Sequence, residues 1–192
     1  MTSDAEVIKR SRRDPARFAQ LFDRHAPHIH RYLARRLGSQ IADDLLAETF
    51  LVAFSKRRAY DVSHPDARPW LYGIATRLVA QHRRDEMRRY CVRTMMPVDG
   101  LHPDHAERVI ADVVAQSTRR VLSQAMAALP DGDRDVLVLI AREELTYEEV
   151  ARALEIPVGT VRSRMHRVRT SLRRTLQGHD HAAIYEEILS NE

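Results

Sequence analysis

Six side chains between residues 162 and 169 are suited to bonding the base edges or phosphates of a nucleic acid. They are Arg162, Ser163, Arg164, His166, Arg167 and Arg169. A guanidinium group can donate two hydrogen bonds to a guanine edge or neutralise a phosphate, and a hydroxyl can bond either partner. No acidic residue interrupts the run from Thr160 to Gln177. These residue types offer recognition of a polyanion rather than covalent chemistry.

Two short helices and a tight turn are predicted to position these side chains. The first helix opens at Thr146, whose hydroxyl can cap the backbone N–H of Glu149 while the Glu149 carboxylate reaches back. Pro157 and Gly159 then interrupt the helical pattern. In the second helix the apolar residues recur at steps of three or four, which predicts one buried stripe: Val161, Met165, Val168, Leu172 and Leu176.

The combination of cap, turn, apolar stripe and basic face predicts a helix-turn-helix whose second helix enters the major groove of DNA. The alternative is a solvated basic face on an ordinary packing helix, which is what most runs of charge are. We favour the DNA-binding interpretation because all four features coincide at the spacing that the motif requires.

The composition limits the other classes of function. The 192 residues carry 31 Lys+Arg against 27 Asp+Glu, so the local concentration of arginine indicates a polyanion partner more strongly than the net charge of +4 does. Cys91 is the single cysteine, which excludes an internal disulfide and a thiolate zinc cage. The N-terminus is polar and no apolar run approaches the roughly 20 residues of a membrane span, so we expect a cytoplasmic protein with no membrane insertion.

Ten histidines raise the question of a metalloenzyme. His25, His28 and His30 cluster, but no histidine lies in a metal-binding signature with a supporting carboxylate at helical spacing. We therefore expect no metal, no cofactor, no catalytic residue and no enzymatic activity.

Few glycines and prolines and few alternating β-branched runs predict an all-α chain, and its length alone allows one domain or two. Pro97, Gly100 and Pro103 interrupt the chain between Val92 and about Gln116, which predicts a flexible linker between two small helical domains. We place the first domain at residues 1–91, the linker at 92–116, the second domain at 117–177 and a C-terminal tail at 178–192. The remaining local expectations are a kink or break at Pro27, an element end at Gly38 and Ser39, a central helix over 41–58, a loop over 60–69, a turn over 131–133 and a helix over 136–140.

Two sets of segments, in a fixed order, carry a family resemblance. In the first half they are residues 18–25, 42–50, 70–75 and 83–84; in the second half they are 129–130, 145–151 and 157–164. These segments are similar to regions 2 and 4 of the small two-domain sigma factors of bacterial RNA polymerase. From Asp4 to about Leu176 the chain resembles the extracytoplasmic-function (ECF) subfamily of the sigma-70 family.

The resemblance implies a protein that binds the polymerase core and directs promoter-specific initiation of transcription. Region 4 would place its recognition helix on the minus-35 promoter element, and region 2 would recognise and melt the minus-10 element. By position, the base-edge candidates are Arg162, Ser163, His166 and Arg167, and the phosphate candidates are Arg164 and Arg169.

For the minus-10 element the resemblance implies contacts from Asp61, His64, Trp70, Tyr72, Arg77, Arg83 and Arg84. Aromatic and basic groups suit exposed bases and a phosphate backbone. Trp70, Leu71 and Ile74 are nevertheless expected in the core rather than as stacking platforms.

For the polymerase core the resemblance implies docking on the clamp of the β′ subunit by Asp43, Asp44, Leu45, Glu48 and Phe50. An acidic, partly apolar helix suits a basic, apolar partner surface, although these carboxylates would also solvate one edge of a buried helix. Further implied partners are the flap of the β subunit, promoter DNA, and an anti-sigma factor that covers the apolar polymerase-binding surface.

Four residues depart from the family pattern. Ala47 stands where a glutamine commonly helps to bind the clamp, and Arg77 and Ala80 stand where Asn and Asp are frequent. Glu155 replaces a turn glycine, which imposes strain if the backbone needs a positive φ there.

Two other classes of protein share some of these features. A free-standing helix-turn-helix regulator would carry a similar block at residues 145–151 and would typically dimerise on a two-fold site. Its first half would serve ligand sensing or phosphorylation, and no pocket signature for either is evident here. A pure interaction protein would leave the arginine-rich helix unexplained.

Overall fold

A computed structural model describes residues 2–94 and 124–176, and every regular element in these ranges is a helix. The all-α prediction is confirmed. The chain divides into two compact units, an N-terminal unit up to Pro97 and a C-terminal unit built mostly from residues after it. The predicted linker, beyond the helical residues 92–94, and the predicted tail lie outside the described residues. No helix within the described ranges combines the length and apolar character that crossing a bilayer requires.

The N-terminal unit packs its helices around one apolar core. Its elements are α1 (Asp4–Ser11), a 3-10 helix (Pro15–Phe18), α2 (Ala19–Leu37), α3 (Ser39–Lys56) and α4 (Arg68–Thr94). Ile8, Leu21 and Leu33 are completely buried. The ring of Tyr32 meets that of Tyr72 edge-on at 5.3 Å, which ties α2 to α4.

The predicted break at Pro27 does not occur, since Pro27 lies inside α2. Proline removes one intrahelical donor, and here that loss falls on an exposed part of the helix where water can satisfy the freed carbonyl. The helix ends at Gly38, whose φ of +85° is readily adopted by glycine. Ser39 is the first residue of α3. The helix end expected at Gly38 and Ser39 is therefore present, and Gly38 alone connects α2 to α3.

Helix α3 packs against both α2 and α4, as expected for a central helix over residues 41–58, but it buries only one face. Its buried residues are Ala42, Leu45, Thr49, Phe50 and Ala53. The opposite side, here called the α3 outer face, consists of Asp43, Asp44, Ala47, Glu48 and Leu51, all exposed. The face that α3 leaves uncovered is therefore acidic, with Leu51 as its one large apolar side chain.

The C-terminal unit begins its described part with helical residues 124–128. It continues with α5 (Asp131–Ala141), α6 (Tyr147–Leu154) and α7 (Val158–Leu176). Its core includes Val136, Leu139, Val150, Val161 and Val168, each completely buried.

The predicted turn over residues 131–133 was wrong, because these residues form the first turn of α5. Pro130 precedes the helix, and Asp131 and Asp133 place negative charge at its N-terminus, where the helix dipole favours it. The predicted helix over 136–140 exists but starts five residues earlier.

Candidate nucleic-acid interface

The first helix of the helix-turn-helix begins with the predicted reciprocal cap. The backbone N–H of Thr146 donates to Glu149 Oε2 at 2.8 Å, and the backbone N–H of Glu149 donates to Thr146 Oγ1 at 3.3 Å. Two backbone donors at the start of α6 are thereby satisfied within four residues.

The turn after α6 depends on a left-handed residue. Glu155 has a φ of +56°, so the strain anticipated for a side chain at this position is present in the backbone. The next N–H, that of Ile156, donates to the Ala151 carbonyl at 3.0 Å. The Pro157 carbonyl then accepts the N–H of Thr160 at 2.8 Å and opens α7.

The apolar stripe of α7 is confirmed where its side chains are described. Val161, Met165, Val168 and Leu172 are buried, and the Leu176 side chain lies outside the described residues. The opposite stripe holds Arg162, Ser163, His166 and Arg167, which are exposed. The Ser163 hydroxyl donates to the Thr160 carbonyl at 3.0 Å, which leaves its oxygen free to accept.

Two of the six candidate side chains on α7 bond the first turn of α5. Arg167 donates from Nε to Asp133 Oδ2 at 3.0 Å and from Nη2 to Asp133 Oδ1 at 2.7 Å. These bonds and the charge of Asp133 raise the pKa of the Arg167 guanidinium above its ordinary value. Arg164 donates from Nη1 to the Gly132 carbonyl at 3.3 Å, and its Nε lies 4.0 Å from Asp133 Oδ1.

The exposure of the six candidates therefore differs along α7. Arg162, Ser163 and His166 are exposed, whereas Arg164 and Arg169 are half-buried. Arg167 is exposed and ion-paired at once. Its pairing was not predicted, because Asp133 lies 34 residues away in the chain and no local pattern connects the two.

In the N-terminal unit, the loop before α4 carries two of the minus-10 candidates. Asp61 is exposed, and the hydrogen bond from the Ser63 backbone N–H lowers the pKa of its carboxyl. His64 is half-buried and its Nε2 lies 3.7 Å from Asp61 Oδ2. Tyr60, missed by sequence analysis, organises this loop because its buried hydroxyl donates to the His64 carbonyl at 2.8 Å.

The aromatic candidates of α4 have different surroundings. Trp70 is half-buried with its ring 4.9 Å from that of Tyr60, whereas Tyr72 is completely buried against Tyr32. Leu71 and Ile74 are buried, as predicted for core residues.

The basic candidates follow on later turns of the same helix. Arg77 and Arg84 are exposed and Arg83 is half-buried. The structure thus places the minus-10 candidates along the loop and the first four to five turns of α4 rather than in one cluster.

The polymerase-binding candidates separate into two sets on α3. Asp43, Asp44 and Glu48 are exposed on the α3 outer face, whereas Leu45 and Phe50 are buried in the core. The exposed apolar residue of that face is Leu51, which is 65% exposed. Sequence reasoning overlooked Leu51 as a contact, although its position three residues after Glu48 puts both on one side of a helix.

A buried carboxylate at Asp4 ties three segments of the N-terminal unit together. Its Oδ2 lies 2.7 Å from His25 Nε2 and accepts the Ala67 N–H at 3.1 Å, and its Oδ1 accepts from Arg24 at 3.0 Å. Burial raises the pKa of Asp4, but these hydrogen bonds and the charge of His25 outweigh it and hold the pKa below its ordinary value.

Among the described residues, one group has possible ligand atoms close enough together to hold a metal ion. It consists of Asp4, His25 and Asp66. The Asp4 carboxylate is already bonded by a guanidinium, an imidazole and a backbone N–H, and the guanidinium would repel a cation. We therefore assign this network to the packing of α1, α2 and the loop before α4.

Comparison with known proteins gives two family matches. A family model described as sigma-70 region 2 matches residues 21–89, and one described as sigma-70, region 4 matches residues 119–172.

Among curated relatives, the ECF RNA polymerase sigma factor SigW of Bacillus subtilis (strain 168) is 30% identical, over 85% of this chain and 91% of that protein. The ECF RNA polymerase sigma factor SigE of Mycolicibacterium smegmatis is 32% identical, over 83% of this chain and 62% of that protein. A solved structure of the sigma factor RpoE in complex with the anti-sigma factor NepR from Bartonella quintana has a similar fold. It gives a TM-score of 0.61 at 20% identity, covering 83% of this chain and 96% of that one.

Proposed function

Because this chain belongs to the ECF sigma factors of the sigma-70 family, we propose that it binds the core of bacterial RNA polymerase and directs it to specific promoters. The observation that carries the proposal is the occurrence, in one chain, of a capped helix-turn-helix with an exposed basic stripe and a separate helical unit with an exposed acidic and apolar face. Neither feature needs a catalytic group, and the protein performs no chemistry of its own.

In this proposal α7 enters the major groove of the minus-35 element. Arg162, Ser163 and His166 contact base edges, because they are exposed and lie on the side of α7 opposite its buried stripe. Arg167 adds its outward edge, while Arg164 and Arg169 contact phosphates from the flanks of the helix.

The loop before α4 and α4 itself meet the minus-10 element. Asp61, His64 and the half-buried Trp70 lie near the opened strand, and Arg77, Arg83 and Arg84 contact its backbone. Tyr72 acts indirectly, because its complete burial leaves it no surface to offer to DNA. The proposed boundaries are 1–91 for this region 2 domain, 92–116 for the linker, 117–177 for the region 4 domain and 178–192 for the tail.

The α3 outer face docks on the clamp of the β′ subunit. Asp43, Asp44 and Glu48 provide negative charge around Leu51, and this complements a basic surface with an apolar centre. Leu45 and Phe50 support the face from beneath. The C-terminal unit contacts the flap of the β subunit.

An anti-sigma factor is a further partner, since an inhibitor that covered the α3 outer face would block core binding. The similar fold of a sigma factor solved with its anti-sigma factor supports this assignment. Partnership with polymerase also implies a cytoplasmic site of action.

The alternative of a free-standing helix-turn-helix regulator is not favoured. Such a protein needs no polymerase-binding domain, whereas residues 21–89 of this chain match sigma-70 region 2.

Run-off transcription with purified core polymerase tests the proposal. Core mixed with this chain is expected to initiate from a subset of a library of promoters that vary at both elements, while core alone initiates from none of them. The matched control replaces Asp44 and Glu48 with lysine, which reverses charge on the exposed α3 outer face and is expected to abolish association with core. If the wild-type chain fails to bind core or directs no initiation, the proposal is wrong.

A further inference from the structure

We propose that Asp133 is a positioning residue that fixes the guanidinium of Arg167 for recognition of one base pair in the upstream promoter element. This inference rests on the proposed role of α7 in promoter binding. It assigns a part in sequence recognition to a residue of α5, outside the helix that enters the groove.

The geometry of the pair leaves the reading edge of Arg167 available. Asp133 occupies the edge formed by Nε and Nη2 at 3.0 and 2.7 Å. A guanidinium has five N–H donors, and Asp133 accepts from two of them. The three that remain are both N–H groups of Nη1 and the second N–H group of Nη2. The edge formed by Nη1 and Nη2 is a pair of parallel donors, which matches the O6 and N7 acceptors of guanine.

The exposure of the two partners gives each a separate role. The Asp133 side chain is 5% exposed and belongs to the first turn of α5, so its carboxylate is fixed by the core. The Arg167 side chain is 58% exposed on the same side of α7 as Ser163 and His166. A buried anchor therefore holds an arginine whose far end faces the proposed DNA surface.

Pairing also changes what Arg167 contributes to binding. A free arginine loses rotamer freedom when it orders on DNA, whereas Arg167 is already ordered in the folded protein. The carboxylate also offsets part of the positive charge that attracts phosphates of any sequence. Both effects favour discrimination between sequences over general affinity.

The test compares Asp133→Asn with Asp131→Asn in the full chain reconstituted with core polymerase. Asp131 lies in the same turn of α5, is exposed, and accepts a hydrogen bond from Arg134 Nη1 at 3.1 Å. Its substitution removes a charge of the same sign while both hydrogen bonds between Arg167 and Asp133 remain. Initiation is measured from promoters with every base pair of the upstream element varied in turn, alongside Arg167→Ala.

Asp133→Asn is expected to reduce the preference at one base pair by roughly tenfold, the scale of one arginine–guanine contact. The affected position should be the one that Arg167→Ala affects, and the double variant should lose no more preference there than Arg167→Ala alone. Affinity for non-promoter duplex should not fall. Asp131→Asn should keep the wild-type profile.

A uniform loss of initiation with an unchanged profile in Asp133→Asn would overturn the inference, because that result means that Asp133 only supports the fold. A change at a position other than the one set by Arg167 would also overturn it. Failure of the wild-type chain to direct initiation from any promoter would instead refute the proposed function.

A second measurement needs no variant and therefore does not depend on its folding. The Nε–H signal of Arg167 can be followed by NMR in the full chain, alone and saturated with duplex that carries the preferred upstream element. The Nε–H of Arg167 is expected to stay protected from exchange with water in both states. Loss of that protection on binding DNA would show that the arginine leaves Asp133 to reach its target.

Discussion

Replacing Leu51 with alanine will weaken binding to core polymerase without unfolding the N-terminal unit. Leu51 is 65% exposed on the α3 outer face, so it contributes little to the core of the unit. Complete burial of a leucine side chain is worth about 1.5–3 kcal/mol, so covering the exposed part at an interface contributes about 1–2 kcal/mol. The dissociation constant for core should therefore rise roughly 5- to 30-fold.

The assay is a titration of the labelled chain with purified core in the absence of DNA. Met87→Ala is the matched control, because Met87 is an apolar residue with nearly the same exposure, 64%, on α4. It should bind core as the wild type does, and both variants should unfold within about 0.5 kcal/mol of the wild type. If Leu51→Ala keeps full affinity, or Met87→Ala loses as much, the α3 outer face is not the docking surface.

Three further predictions concern stability. Thr146→Ala should destabilise the C-terminal unit by about 1 kcal/mol in urea denaturation, because it removes one half of the reciprocal cap; an unchanged midpoint would contradict that role. Glu155→Gly should stabilise the turn after α6 by about 1 kcal/mol, since glycine accepts the positive φ without strain, and a lower melting temperature would contradict this effect of strain relief. Because the pKa of Asp4 is lower in the folded chain, its stabilisation is complete above about pH 4 and is lost as the pH falls through the lowered pKa. Asp4→Asn should flatten this dependence in denaturation measured between about pH 2 and 6, and an unchanged slope would rule out Asp4 as its source.

The parts of the site that sequence analysis predicted correctly depend on neighbours within one or two helical turns. The cap between Thr146 and Glu149 spans three residues, and the stripe from Val161 to Leu172 repeats every three or four. The sequence indicated that Glu155 would be strained if the turn required a positive φ, because the family has a glycine at this position. It could not show that the turn does require one, which the structure shows.

The parts that could not be predicted depend on contacts between distant segments. Asp133 meets Arg167 across 34 residues, and Asp4 bonds the N–H of Ala67 across 63. Hydrophobic periodicity carries no information about which polar groups pair across a fold. The extent of burial of α3 was misjudged for a related reason. Apolar residues on several sides of a helix indicate that these sides are covered, but not whether the same chain or a partner protein covers them.

Gly132, a residue of α5, affects the position of a side chain on α7. A Cβ atom added at this position would lie 2.7 Å from Arg164 Nη1, and the guanidinium, as the end of a flexible side chain, would have to swing away. Such a substitution would move the Arg164 guanidinium, which we propose contacts a phosphate, while every residue of α7 stayed the same. If α7 binds DNA as proposed, two chains that differ only at residue 132 will therefore differ in promoter affinity although their α7 sequences are identical.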